Sequence, residues 1–186
     1  MIARYKNAGS SMIEVLITII ILVIGLLGLA GLQAKALTVQ METYQRSQAL
    51  ILLQDMESRI DANRKNATAY LTGAAPRGTG FNGSVVLDCT ALTGSGLDLC
   101  EWHNALLGAS EAKGAAKVGA MIGARGCITQ TVAPVTGAPS QYLIAVAWQG
   151  LNSTAIPTIT CGQNQYGAND ALRRVIAIPI NIADLL

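Results

Sequence analysis

One stretch limits the architecture more than any other. From Val15 to Leu32 the chain is unbroken in its apolar character. A bilayer-spanning helix needs about 20 such residues, with 17–25 as the working range. A single acid, Glu14, stands at the head of this run. Placing a carboxylate in hydrocarbon costs roughly 2.5–3.5 kcal/mol on insertion scales, so such a residue marks a function and calls for a partner. Arg4 and Lys6 precede the run, and Lys35 is the first charge after it. The excess of positive charge ahead of the run predicts a cytoplasmic N-terminus, with residues from Tyr44 onward in an extracytoplasmic space.

Two other readings of the segment stay in view. A secretory signal peptide would use Ala34-Lys35-Ala36 as its cleavage site, but the run exceeds the usual apolar core of about 7–15 residues and carries Glu14 at its border. The other is a plain uncleaved anchor. For Glu14 itself the simpler reading is an acid matching the positive end of a helix dipole, worth about 0.3–1 kcal/mol. Gly25, Gly28 and Gly31 recur within the run. Each would weaken a soluble helix by about 1 kcal/mol relative to Ala, whereas in a membrane small residues allow close helix approach.

The helix is expected to continue. From Gln33 to Asn63 there is neither proline nor glycine, and Leu37, Met41, Tyr44, Gln48, Ile51 or Leu52, Met56 and Ile60 recur at three- or four-residue steps. That period predicts one apolar stripe. At 1.5 Å per residue, a helix from Ser10 to Asn63 would be a rod of about 80 Å. Its outer half needs a surface to lie on. A long coiled coil is the alternative, but the heptads do not persist.

Residues 65–186 read as a globular domain. Asn63 to Gly83 is loop-like, and Ser84 to Asp88 is a short strand candidate. Asp98-Leu99-Cys100-Glu101 has the form of a capping box, predicting a short helix from Asp98 through Leu107. Ala109 to Arg125 has no clear type. Cys127 to Ala133 and Gln141 to Gln149 are the best strands, joined across Pro134 to Ser140. Tyr142, Ile144, Val146 and Trp148 alternate onto one face, which should pack on the helix stripe. Arg173 to Ile182 is a last strand, with Pro179 pointing to an edge or a bulge. The expected fold is therefore α+β: a long N-terminal helix, membrane-spanning in its first half, packed on a small antiparallel sheet.

All four cysteines, Cys89, Cys100, Cys127 and Cys161, follow the helix. In an oxidising compartment they predict two disulfides. Of the three pairings, the sequential one, Cys89–Cys100 with Cys127–Cys161, joins adjacent elements and is the expected set. A zinc site would need C-x-x-C pairs, which the chain lacks.

Gly9, the apolar helix, and Glu14 five residues beyond that glycine together resemble the N-terminus of type IV pilins. The resemblance implies a leader of residues 1–9, cut by a prepilin peptidase between Gly9 and Ser10, and N-methylation of the new first residue, Ser10. Most pilins have Phe there. It implies a membrane and filament-core helix over 10–32, an amphipathic continuation over 33–64 and a periplasmic domain over 65–186. It also implies that Glu14 sits near the N-terminal ammonium of a neighbouring subunit, a pairing that makes a buried acid tolerable. Asp55-Met56 with Arg59 and Ala62-Asn63, Glu101-Trp102 with Asn104-Ala105-Leu106, and Val146-Ala147-Trp148-Gln149-Gly150 resemble the PilV-type minor pilins. That narrower likeness implies a low-abundance subunit acting with other minor pilins and the major pilin. Such a subunit starts or caps type IV pilus assembly in support of motility and adhesion, and can carry a tip adhesin. It would sit in the inner membrane before assembly and in the pilus fibre or tip afterwards. A minor pseudopilin of type II secretion shares the same N-terminus, and a membrane-anchored periplasmic binding module without a filament is the alternative class.

Little else in the sequence points to chemistry. The one histidine, His103, has no motif around it and is read as a packed or surface residue. No phosphate loop, dinucleotide-binding glycine pattern or nucleophile elbow occurs. The reading is of a non-enzyme with no cofactor and no catalytic or metal residues. A net charge of +2 without a basic aromatic patch gives no case for nucleic acid. The triplets at Asn66, Asn82 and Asn152 match a glycosylation pattern by chance. The leader assignment predicts that Gly9→Ala or a bulkier change blocks shortening of the chain. Intact mass from native cells checks it, and a mutant of normal shortened mass would reject the cleavage site.

Overall fold

The structure, a computed structural model, describes residues 11–109 and 121–183 and, as backbone only, 112–113 and 116–117. The chain divides into two compact units, 1–41 and 42–186. The first contributes the opening part of helix α1, which is Met12–Ala62 overall. Ser11 starts α1: its Oγ accepts the backbone N–H of Glu14 at 3.4 Å, satisfying one of the free donors of the first turn. The apolar side chains from Met12 through Leu32 stand exposed in this unit.

The second unit holds the end of α1, a 3₁₀ turn (Arg64–Tyr70) and a short strand β1 (Arg77–Gly78). A second 3₁₀ turn (Phe81–Ser84) leads into helix α2 (Gly94–Leu106). Strands β2 (Ala112–Lys113) and β3 (Ala116–Lys117) pair with each other. The main sheet adds β4 (Arg125–Val132), β5 (Ser140–Gln149) and β6 (Arg173–Ile182), in the order β1-β4-β5-β6 and antiparallel throughout. This is the expected α+β arrangement of a long helix packed on a small antiparallel sheet. Pro179 lies on β6, an edge strand, where a residue lacking an N–H is tolerated.

The core lies between helices and sheet. Tyr142, Ile144, Val146 and Trp148 of β5 pack in one cluster with Ala49, Leu53, Met56 and Ile60 of α1 and with Leu99, Trp102 and Leu106 of α2. The indole N–H of Trp102, fully buried, donates to the carbonyl of Leu52 at 2.9 Å, tying α2 to α1. Gly126 makes this approach feasible: a Cβ there would sit 2.3 Å from the Trp102 ring. On the opposite face of the sheet, Cys127, Ala145, Ala147, Cys161 and Tyr166 form a smaller cluster. Disulfides join Cys89 to Cys100 and Cys127 to Cys161.

Three expectations are corrected. The buried stripe of α1 is Gln45, Ala49, Leu53, Met56 and Ile60. Leu37, Met41, Tyr44 and Ile51 are exposed instead. At 100° per residue a row begun at Leu37 drifts around the helix and reaches the packed face at Leu52, half-buried against the core, and then at Met56 and Ile60. Residues 84–88 form no strand; the side-chain amide of Asn104 satisfies both backbone groups of Leu87, at 2.8 Å each, in place of a ladder partner. Helix α2 begins at Gly94 with Thr93 as its N-cap residue, so Asp98 lies inside the helix and does not cap it.

The two stripes separate by mutation. Leu53→Ala should lower stability by about 2–5 kcal/mol, while Ile51→Ala should change it by no more than about 0.5 kcal/mol. Melting of the full chain in detergent reads both, and equal losses would reject the assignment of the buried face.

Candidate assembly site

Glu14 is the one acid in the first turn of α1, and it is exposed. Its backbone N–H is held by Ser11, while no side chain among the described residues bonds its carboxylate. Thr18, four residues on, turns its hydroxyl back to the carbonyl of Val15 at 2.8 Å, so it too brings no group to the acid. The helix is long and apolar enough to cross a membrane by length and composition. At Gly25, Gly28 and Gly31 an added Cβ would meet nothing within 4 Å, so no packing among the described residues requires those glycines. Gly9 and Ser10 lie outside the described residues.

Within the 42–186 unit, polar fastenings hold the end of α1. Arg59 gathers three carboxylates. Its Nε donates to Asp55, one helical turn earlier, at 3.0 Å, and its Nη1 donates to Asp98 at 3.0 Å and Glu101 at 2.6 Å, both on α2. Burial alone would pull the guanidinium pKa down; Glu101, Asp55 and Asp98 outweigh it and hold the group above its ordinary range. The phenol of Tyr70 donates to Asp98 and accepts from the Asn63 amide at 3.2 Å. Its pKa is raised, first by burial and then by the hydrogen bond to Asp98.

Toward the start of the same unit, Glu42 Oε1 accepts the consecutive backbone N–H groups of Leu151 and Asn152, at 3.1 and 3.2 Å. The Asn152 amide and Arg174 Nη2 also reach it, at 3.5 and 3.3 Å. These bonds pin the connection between β5 and β6. Arg173, almost fully buried, secures the same connection from the other side. Its guanidinium pairs with Asp170 and donates to the carbonyls of Pro157, Ile159 and Cys161.

His103 is fully buried and bridges two segments. Its Nδ1 accepts the Gly78 N–H at 2.9 Å, and its Nε2 lies 2.9 Å from the Val85 carbonyl. It is a packing residue. Among the described residues no group of histidines, cysteines and acids could hold a metal ion. Of the polar fastenings, Asp55 with Arg59, at i,i+4 on a helix, and Asp170 with Arg173, at i,i+3, are close enough in sequence to leave a signal. Glu42 and Arg174 are too far apart in sequence to leave one.

A family model described as type IV pilin Tt1218 (Tt1218-like) matches residues 31–94 of the 186, from within α1 to the start of α2. Neither a curated protein nor a solved structure matches the chain.

Tyr70 and Tyr166 generate a pH prediction. Burial raises the pKa of both phenols, with Arg125 opposing the shift at Tyr166 and Asp98 adding to it at Tyr70. A raised folded-state pKa contributes stability that is complete below the unfolded value of about 10 and is lost as pH climbs through the folded value. Stability should therefore be level in this respect up to pH ~10 and fall above it. The Tyr70→Phe, Tyr166→Phe double variant should start lower and lose less across the same alkaline range in a melting series; an unchanged alkaline slope would reject the linkage.

Proposed function

We propose, from the premise that this chain is type IV pilin-like, that it is a minor pilin of the PilV type that joins other minor pilins to start or cap a type IV pilus. In this reading the prepilin peptidase removes residues 1–9 and Ser10 becomes the methylated N-terminus. The apolar helix waits in the inner membrane with the 42–186 unit on the periplasmic side, then moves into the filament. There the major pilin and the other minor pilins surround it, and a tip adhesin can be carried. The chain performs no catalysis and needs no cofactor.

The observation that carries this reading is Glu14: one carboxylate in the first turn of an exposed apolar helix, with no side-chain partner among the described residues. Left alone in lipid, such an acid raises the free energy of the subunit. Beside the ammonium of a neighbouring subunit it becomes a paired charge in a low-dielectric setting, where attraction is strong and geometry-dependent. The acid thus favours docked over solitary helices and sets their axial register. The three glycines with open space over them support the same reading, since small residues let helices approach closely.

Glu14→Ala should leave membrane insertion and the folded 42–186 unit intact while surface pili are lost or sharply reduced, counted by electron microscopy against fractionated membranes. Normal piliation in that variant would overturn the assembly role and favour a membrane-tethered periplasmic binding module.

A further inference from the structure

Arg173, buried, and Arg59 and Arg174, partly buried, each hold carboxylates. Two other half-buried arginines do not. Arg77 on β1 lies over the ring of Phe81, 4.1 Å from its centroid, and its Nε is buried without a hydrogen-bond partner. Burial pulls its pKa down, with no acid to counter the loss of water. Arg125, opposite Gly78 in the β1–β4 pair, donates to the Gly123 carbonyl at 3.3 Å and to Gln165 Oε1 at 3.0 Å, and stands 5.3 Å from the Tyr166 ring centroid. Among the described residues no carboxylate pairs with either. Charges taken out of water are expected to be paired, so among the described residues this corner of the domain carries positive charge without a carboxylate.

Arg125 opens onto a groove of about 600 Å³ between the turn at 79–82 and the loop at 160–165, within the range of small-ligand sites. Its polar lining is Thr79, Asn82, Thr160, Gln163 and Gln165 beside Arg125; Ala74, Ala75, Pro76 and Phe81 line its apolar part, and among the described residues it contains no acid and no lysine. Gly80 admits the guanidinium: its φ is +89°, and a Cβ there would stand 3.3 Å from Arg125 Nη2. Side-chain amides and hydroxyls both donate and accept hydrogen bonds, as sugar hydroxyls do. A peptide would bring apolar anchors or add a strand, and the adjoining edge strand β1 has only two residues.

We propose that this groove binds a carboxylate-bearing saccharide, its carboxylate on Arg125 and its ring hydroxyls on the amides and hydroxyls around it. The test is calorimetric titration of the full chain, held in a detergent without a sugar headgroup, with three probes: oligomers of glucuronic acid, glucose oligomers of the same length and a glutamate-rich peptide. The glucuronate oligomer should bind, more weakly as salt screens the pair. Arg125→Gln should weaken it by about tenfold or more, the factor expected for one lost charge-assisted contact. Gln163 is exposed, so Gln163→Ala tests the groove without threatening the fold; it should weaken binding by a smaller factor with unchanged melting. Equal binding of the glucose oligomer would overturn the role of the carboxylate. Binding of the peptide alone would overturn the saccharide, and binding of none, or binding indifferent to both variants, would overturn the site.

Discussion

Burial of Ala49, Leu53, Met56 and Ile60 against the inner face of the sheet positions everything else in the 42–186 unit. A helix must lay its apolar stripe on a complementary surface, and the alternating residues of β5 supply one. Helix α2 then closes the side of this sandwich, with Trp102 reaching the backbone of α1 and the missing Cβ of Gly126 giving its ring room. The polar fastenings are secondary to this contact. Arg59 and Glu42 hold α1 to α2 and to the β5–β6 connection where the stripe has already brought them close.

The outer face of the sheet is organised differently. Its cover is the connection between β5 and β6, a stretch with no regular element. The Cys127–Cys161 bridge and the carbonyl-gathering guanidinium of Arg173 do the holding that ladder bonds do elsewhere. Backbone carbonyls outside regular structure need donors once buried, and one planar cation supplies three of them. The loop therefore has a fixed course despite its irregular form, and it can present Thr160, Gln163 and Gln165 at the groove.

Much of this was legible because it rests on period. Strand β6 has the expected bounds, Arg173–Ile182, β5 begins one residue earlier than expected, and the face Tyr142–Ile144–Val146–Trp148 packs where alternation puts it. What misled was local pattern whose side chains are engaged elsewhere. Asp98 has the spacing of a cap, but its carboxylate belongs to Arg59 and Tyr70. Residues 84–88 have the look of a strand, but the Asn104 amide takes the place of a neighbour. On α1, large residues drew the stripe toward Tyr44 and Ile51, whereas the face that packs includes the small Ala49 and the polar Gln45. Contacts such as Glu42 with Asn152, 110 positions apart, leave no trace in a single sequence. The groove at Arg125 was equally hidden, since only folding brings the turn after β1 beside the loop after β5.

The open space above Gly25, Gly28 and Gly31 divides the chain's tolerance to change into two regimes. A methyl group added at any of them collides with nothing among the described residues. No lost contact would mark such a change in the unfolding of a single chain. A substitution at Gly126, by contrast, is penalised in every copy, alone or in company. In the proposed assembly, damage in the apolar segment would therefore be recessive to folding and visible only in the crowd, in a population of subunits that are each sound and together fail to cohere.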